Sequence, residues 1–429
     1  MKALSLFLLL ITHAEASLDI EQWYTPEGAK VLFTKTKGLP MVDIALNFDA
    51  ASSRDGQQYG LANLTNSLIG TATRYRSEEQ IINQFESLGS EFSTTSLKDM
   101  SIISMRSLSR EDILRQSLSI LTEVVSKVDY QQHYLTREKK QALRSIEASK
   151  QSPASIASKA FDELVFVDHP YAHNKIGSEE SLNKITLKDV KNHYHQYYVA
   201  KNLTIALVGD MSRVKAQQIA RQISHGLNVG KKAIDNPVVA PLQQANNQHI
   251  EFPSKQTHLL VGQTGINRNH ADYYALYLGN HILGGSGLNS ILSGQVREKR
   301  GLAYSVSSYF TKMKSKGYFL IKLQTKNKQA NQAKNIVLAT FRNFIKKPID
   351  EQLLQDGKDN IIGGFTLETA SNANILTYLS IIGFYDLPLS FLNDFITKIE
   401  KIDSKTVQKA FSRLIDMDKL IVLSVGAMK

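Results

Sequence analysis

No cysteine occurs among the 429 residues. That excludes disulfides, thiolate nucleophiles and thiolate metal sites together, and an exported form would need no oxidative folding. Long hydrophobic runs are missing too. The apolar stretch Leu4 to Ile11 is too short to cross a bilayer, and no other segment reaches that length, so no membrane span is expected. Charge is unequal, with 51 Lys and Arg against 40 Asp and Glu for a net +11. Such a balance suits nucleic acid, an acidic membrane surface or acidic substrates, and no basic run is long enough to choose among them. The cluster REKKQALR at 137–144 and Lys312-Met313-Lys314 read as solvated faces. What remains, 42% hydrophobic and 21% charged residues, is ordinary globular material long enough for two or more domains.

The N-terminus is patterned for export. Lys2 precedes the apolar stretch, and Ala14-Glu15-Ala16 supplies an A-x-A cleavage site. Residues 1–16 therefore read as a signal peptide, with a mature chain from near Ser17. Export argues against nucleic acid as the partner.

The mature chain repeats itself. Ile185 to Asp210 (ITLKDVKNHYHQYYVAKNLTIALVGD) aligns without a gap with Ile402 to Ala427 (IDSKTVQKAFSRLIDMDKLIVLSVGA). Ile185, Lys188, Val190, Leu203, Val208 and Gly209 match Ile402, Lys405, Val407, Leu420, Val425 and Gly426. Upstream, VDHPY at Val167 answers YDLPL at Tyr385. Each copy reads as an amphipathic helix followed by a strand, so a whole domain is duplicated. Between the copies, Gly226 to Gln248 holds two Gly, two Pro and many polar residues and reads as an extended, partly stiff linker. The expected division is 17–227, a linker over 228–248, and 249–429.

Strands and helices mix in each domain. AKVLFTKT and MVDIALNFDAAS read as strands, and Ser77 caps the helix EEQIINQFESLG, which stops at Gly89. Ser109 with Asp112 resembles a capping box for the next helix. The region from Leu135 to Phe166 reads as largely helical. A second-domain helix ends at Arg297 with an apolar stripe of Leu288, Ile291, Leu292 and Val296, and Gly301 suits the left-handed position that stops it. Strands do not alternate strictly with helices, which favours α+β over a doubly wound parallel sheet. Several signals read blandly. Pro170 breaks any helix that would align His169 with His173. His193 and His195 diverge on a helix. Gly284-Gly285-Ser286-Gly287 lacks a P-loop Lys and reads as a close-packing turn. Asn63-Leu64-Thr65 and Asn202-Leu203-Thr204 are formal sequons in regular structure.

ILGGSGLNSILSGQVREKRGLAYSVSSYF, Ile282 to Phe310, closely resembles the second domain of the pitrilysin/insulinase family of zinc metallopeptidases, the inverzincins. HPYAHNKIGSEESLNKIT from His169, LVGD from Leu207 and LVGQTGINRNHADYYAL from Leu260 agree, and together they cover nearly all the mature chain. The resemblance implies α+β architecture: two homologous domains, each a mainly antiparallel sheet covered by helices, in a clam-like arrangement around a peptide. It also implies a zinc helix carrying His-x-x-Glu-His after a Gly-Leu-Ala-type lead. Here Tyr59-Gly60-Leu61-Ala62 is followed by Asn63-Leu64-Thr65-Asn66-Ser67. Asn63, Asn66 and Ser67 replace both histidines and the glutamate, so no catalytic zinc is expected in this chain. The family's third ligand is a later Glu; Glu147 lies in roughly the right region, without partners.

The other half-site looks intact. Arg297 and Tyr304 match the family's Arg/Tyr pair, which contacts the substrate carbonyl and helps stabilise the tetrahedral intermediate. Some members are two-chain peptidases in which one chain has zinc and the other supplies this pair. The expectation is therefore a non-zinc subunit of a periplasmic heterodimeric metallopeptidase, acting on peptides with a zinc-bearing homologous partner and inactive alone. The alternative is a catalytically inactive peptide-binding or scaffold protein of the same fold.

Overall fold

The chain builds one sheet plan twice. The computed structural model describes residues 18–427, so the signal-peptide segment lies outside the described residues. The first sheet comprises β1 (Glu21–Tyr24), β2 (Lys30–Lys35), β3 (Met41–Phe48), β4 (Glu91–Ser96), β5 (Ser101–Leu108) and β6 (Leu203–Gly209). The second comprises β7 (Asn246–Glu251), β8 (Gln256–Thr264), β9 (Ala303–Phe310), β10 (Tyr318–Lys326) and β11 (Ile421–Gly426). Their orders are β1-β2-β6-β3-β5-β4 and β7-β11-β8-β10-β9. Leaving β1 aside, the two are superposable in order. Each has one parallel pair, β2 with β6 and β7 with β11, and is otherwise antiparallel. The fold is α+β with two homologous sheets clothed in helices.

The central strands β2, β3 and β6 of the first sheet are buried on both faces, and their side chains divide by alternation. Val31, Phe33, Ile44, Leu46, Ile205 and Leu207 join one core. Leu32, Ala45, Ala206 and Val208 point the other way, into a core built mostly by the second half. The cause is an exchange of helices. Helix Asn372–Phe384, from the second half, lies on β6, β3 and β2, whereas helix Pro153–Val165, from the first half, lies on β11 and β8. The approach is close. A Cβ at Gly383 would come within 2.5 Å of Leu32 Cδ1 and 2.6 Å of Thr204 Cγ2.

The duplicated VDHPY and YDLPL segments follow these two exchanged helices. Asp168 and Asp386, equivalent in that alignment, have φ of 56° and 54° and are the only non-glycine residues with positive φ among the described residues. Asp tolerates this left-handed geometry because its short polar side chain clashes little. Residues 226–245, between the two sheets, contain no helix or strand. They are pinned rather than loose: the Ala233 amide donates to Asn202 Oδ1 at 3.0 Å, and the Val239 amide donates to Ser315 Oγ at 3.1 Å.

Local expectations meet mixed outcomes. Ser77 caps helix Glu78–Ser87 in a full capping box with Gln80. Ser109 does not cap its helix: Glu111–Ser126 starts one residue later, and Asp112 pairs with Arg110 instead. Leu135 to Phe166 is two helices, Gln132–Lys150 and Pro153–Val165, separated at Ser152, which caps the second one. The helix expected before Arg297 is a 3₁₀ turn, a single α-turn at Ile291–Ser293, and a π-turn at Gly294–Glu298. That irregular path leaves Leu288 58% exposed and outside the expected stripe. Lys312-Met313-Lys314 is not a solvated face, because it lies where the two halves meet.

Candidate functional site

Helix Leu61–Ser67 stands where the zinc helix is expected. It begins after Gly60, whose φ of 96° only glycine takes readily, and whose Cβ position lies 2.4 Å from the Ile176 carbonyl oxygen. Its first turn is held by Asp55, whose side chain is fully buried. Asp55 Oδ2 accepts from the Gly60 amide at 2.8 Å, and Oδ1 accepts from the Ala62 amide at 2.7 Å. His173 Nε2 donates to Oδ2 at 3.0 Å while its ring stacks on Tyr59 at 4.3 Å. The sequence motif did not reveal Asp55. An acidic residue six positions before a helix is a weak capping signal, and the reach depends on the intervening turn.

The substituted positions do not present a metal site. Asn66 is 1% exposed, and its Oδ1 accepts from the buried Tyr198 hydroxyl at 3.0 Å. Ser67 Oγ donates to the Leu64 carbonyl at 3.0 Å. Asn63 is half-buried. Glu147 is well exposed and pairs with Lys150 at 2.8 Å, on the solvent side of its helix. No group of three or more His, Asp or Glu that could hold a metal ion occurs among the described residues. Asn63, Asn66 and Ser67 are neutral, and Asn66 and Ser67 are already engaged, so the three positions do not fit zinc in a hydrolytic site.

The histidines do other work. His169 Nδ1 accepts from the Tyr171 amide at 3.1 Å, and Nε2 donates to the Pro237 carbonyl at 2.8 Å, so it fastens the connecting segment to the first half. His193 is buried on helix Leu187–Tyr197 against the Ala50 carbonyl at 3.0 Å. Burial pushes both imidazoles below the usual range, which keeps them neutral. His195, on the same helix, is exposed.

Arg297 and Tyr304 are brought side by side. Arg297 lies in the π-turn, Gly301 follows with φ of 58°, and Tyr304 is the second residue of β9. The turn is closed by the Gly301 amide on the Arg297 carbonyl at 2.8 Å and the Leu302 amide on the Val296 carbonyl at 2.9 Å. The Arg297 guanidinium carbon then stands 5.2 Å from the Tyr304 ring centroid. Tyr304 is 86% exposed, an unusual setting for a large aromatic ring with nothing to bind. Behind it, Gly284 packs on β9 so closely that a Cβ would lie 2.5 Å from Ser308 Oγ, as the close-packing reading requires.

The structure does not merge the two half-sites. Helix Leu61–Ser67 packs chiefly on Leu187–Tyr197, Gln132–Lys150, β4 and β5, whereas the Arg297 turn packs on β9 and helix Ala330–Lys346. They share no principal packing partner.

Buried charge ties the halves together instead. Asp99 accepts from the Tyr171 hydroxyl at 2.6 Å, the Lys314 amide at 2.8 Å and the Tyr385 hydroxyl at 3.3 Å. Burial raises its carboxyl above the usual range even so. Lys314 Nζ bridges Asp49 and Asp235, each at 3.0 Å, and Asp49 also takes Arg54 in a two-bond fork at 2.6 and 2.7 Å. First half, connecting segment and second half thus meet in one polar network.

Several known proteins resemble this chain. Residues 30–177 match the family model described as Insulinase (Peptidase family M16), and residues 184–361 match that of the Peptidase M16 inactive domain. A crystal structure of a peptidase M16 inactive domain from Pseudomonas fluorescens is 39% identical, with a TM-score of 0.93 covering 96% of this chain and 99% of that one. A Helicobacter pylori relative named non-peptidase homolog YmxG is 26% identical over 98% of this chain and 96% of its own length. A Bacillus subtilis relative named uncharacterized zinc protease YmxG is 21% identical, covering 82% of this chain and 85% of its own length.

Proposed function

Because the chain belongs to the M16 (pitrilysin/insulinase) peptidase family, we propose that it is the non-zinc subunit of a two-chain periplasmic metallopeptidase that cleaves peptides. One observation carries the reading: the Arg297–Tyr304 pair is assembled with its tyrosine exposed, while Asn66 and Ser67 are spent on internal hydrogen bonds. A chain that had lost all role in peptide chemistry would have no reason to keep an exposed tyrosine beside a guanidinium on a turn built to join them.

In this reading a zinc-bearing homologous subunit supplies the activated water. This chain supplies donors. The guanidinium of Arg297 offers up to five N–H groups and Tyr304 one O–H, directed to a peptide carbonyl from the side opposite the partner's site. Donors fixed before the reaction stabilise charge that grows on the carbonyl oxygen, and they need no rearrangement to do so. Alone, the chain holds and orients peptide without cleaving it.

A second reading, a catalytically inactive peptide-binding or scaffold protein, draws support from the relative named a non-peptidase homolog over nearly its full length. Mixing separates the two. Peptide hydrolysis is measured for this chain, for a zinc-bearing exported homologue from the same source, and for both together. The subunit reading expects turnover from the mixture well above either chain alone. A complex that forms without any gain in turnover would favour the scaffold.

A further inference from the structure

Between the two sheets lies a cavity of about 610 Å³. Its walls are largely apolar, with Ala45 and Ile102 from the first sheet, Phe310 from the second, and Leu376 and Ile381 from the exchanged helix Asn372–Phe384. Three charged side chains besides Lys98 also line it: Lys312, Arg268 and Asp99. Lys98 is matched by Asp162 at 2.9 Å, and the oxygens of Asp99 are already bonded to Tyr171, Tyr385 and the Lys314 amide.

Lys312 and Arg268 are not matched. Among the described residues no carboxylate pairs with either. Lys312 Nζ reaches only the Tyr273 hydroxyl, at 3.3 Å, and stands over the Tyr273 and Tyr277 rings at 4.7 and 5.2 Å. The Arg268 guanidinium lies over the Tyr385 ring at 4.6 Å, and its Nε is buried without a hydrogen-bond partner. Burial and the neighbouring Arg268 push the Lys312 amine down to about 8. Buried cations without counter-charge are costly, and ring faces compensate only partly.

We propose that this cavity is a binding site for a single carboxylate carried on an apolar body, its head group set between Lys312 and Arg268 and its body against Ile102, Phe310 and Leu376. Two cations and one satisfied carboxylate leave an excess of one positive charge, which one carboxylate neutralises. A phosphate dianion would overshoot that balance, and the apolar walls would strip its hydration without replacing it. The volume lies within the range of small-molecule sites. Both a medium-chain fatty acid and the free C-terminus of a short apolar peptide carry this chemistry. The site is separate from the Arg297–Tyr304 pair and does not depend on the reading given to that pair.

Calorimetric titration of the full chain tests it, with octanoate, octanol, a short apolar peptide acid and the same peptide as its amide. Octanoate or the peptide acid is expected to bind once per chain, about tenfold or more tighter than its uncharged counterpart. Which of the two acids binds identifies the source. Lys312→Met, which removes an unmatched buried charge and should not impair folding, is expected to erase that preference. In the unaltered chain, the Lys312 amine followed by NMR should titrate at higher pH once the acid is bound. Equal binding of acid and uncharged counterpart, no binding of either acid, or an unmoved Lys312 titration would overturn the proposal.

Discussion

Asp55→Ala is the sharpest test of what holds the Asn63 helix in place. In the native chain both carboxylate oxygens are used, on the amides of Gly60 and Ala62 at 2.8 and 2.7 Å, and His173 donates at 3.0 Å. The carboxylate is fully buried and His173 nearly so, at 0% and 9% side-chain exposure, so water cannot replace the lost acceptor. Leaving two buried amides unpaired costs roughly 1–3 kcal/mol each, or about 2–6 kcal/mol in all, a large share of the ~5–15 kcal/mol typical of a folded domain. Asp55→Asn keeps one acceptor oxygen and turns the other into a donor facing a donor, so its loss should be smaller. His173→Ala leaves both amide bonds intact and should cost least. Urea unfolding followed by circular dichroism reads the order through the shift in midpoint. A midpoint for Asp55→Ala within ~0.5 kcal/mol of the unaltered chain, the usual scatter for surface changes, would refute the claim that Asp55 secures this helix.

Other consequences follow from the same contacts. Gly383→Ala should destabilise by about 1–3 kcal/mol through overpacking against Leu32 and Thr204, although alanine favours helices; a stability gain in thermal unfolding would contradict the close approach. Lys312 has a folded value near 8 against an ordinary value of 10.5, so the folded chain sheds this proton first and stability attributable to it rises between pH 8 and 10.5. Lys312→Met should flatten that rise and, at pH 7, add about 1–3 kcal/mol, as urea midpoints across that range would show. Tyr171→Phe should cost about 1–3 kcal/mol by leaving the buried Asp99 oxygen unpaired; an unchanged midpoint would mean that the network does not hold the halves. Purified chain should carry well under one zinc per molecule by elemental analysis, and stoichiometric zinc lost on mutating Asn63 or Ser67 would contradict the reading of that helix.

The repeated plan was legible because it is written locally. A helix and strand at Ile185–Asp210 and again at Ile402–Ala427 became equivalent elements of matching sheets, ending in β6 and β11. The repeat of Asp168 and Asp386 is visible as letters, but their shared left-handed backbone is not. The exchange of helices Pro153–Val165 and Asn372–Phe384 was not legible. Periodicity shows that a helix has an apolar face and is silent on which sheet that face meets. Lys312-Met313-Lys314 misled for the same reason, since three residues cannot reveal that the opposite half closes over them. At the candidate site, the substitutions at Asn63, Asn66 and Ser67 and the proximity of Arg297 to Tyr304 were readable from motif and spacing. The irregular path through the π-turn was not, because an apolar stripe at helical spacing does not show where the turns tighten or widen.

The central claim is that the Arg297–Tyr304 pair acts on peptide chemistry completed by another chain. Turnover of the reconstituted pair of subunits, with and without Tyr304→Phe, measures this most directly. The substitution removes one hydroxyl and little volume, and the residue is 86% exposed, so folding and assembly should be unchanged. Losing one such donor typically costs ~3 kcal/mol in the transition state, or roughly a hundredfold in turnover. A loss of that order in a complex shown by sedimentation to be intact is the result expected. Undiminished turnover in an intact complex would contradict the account and leave the pair without a catalytic role.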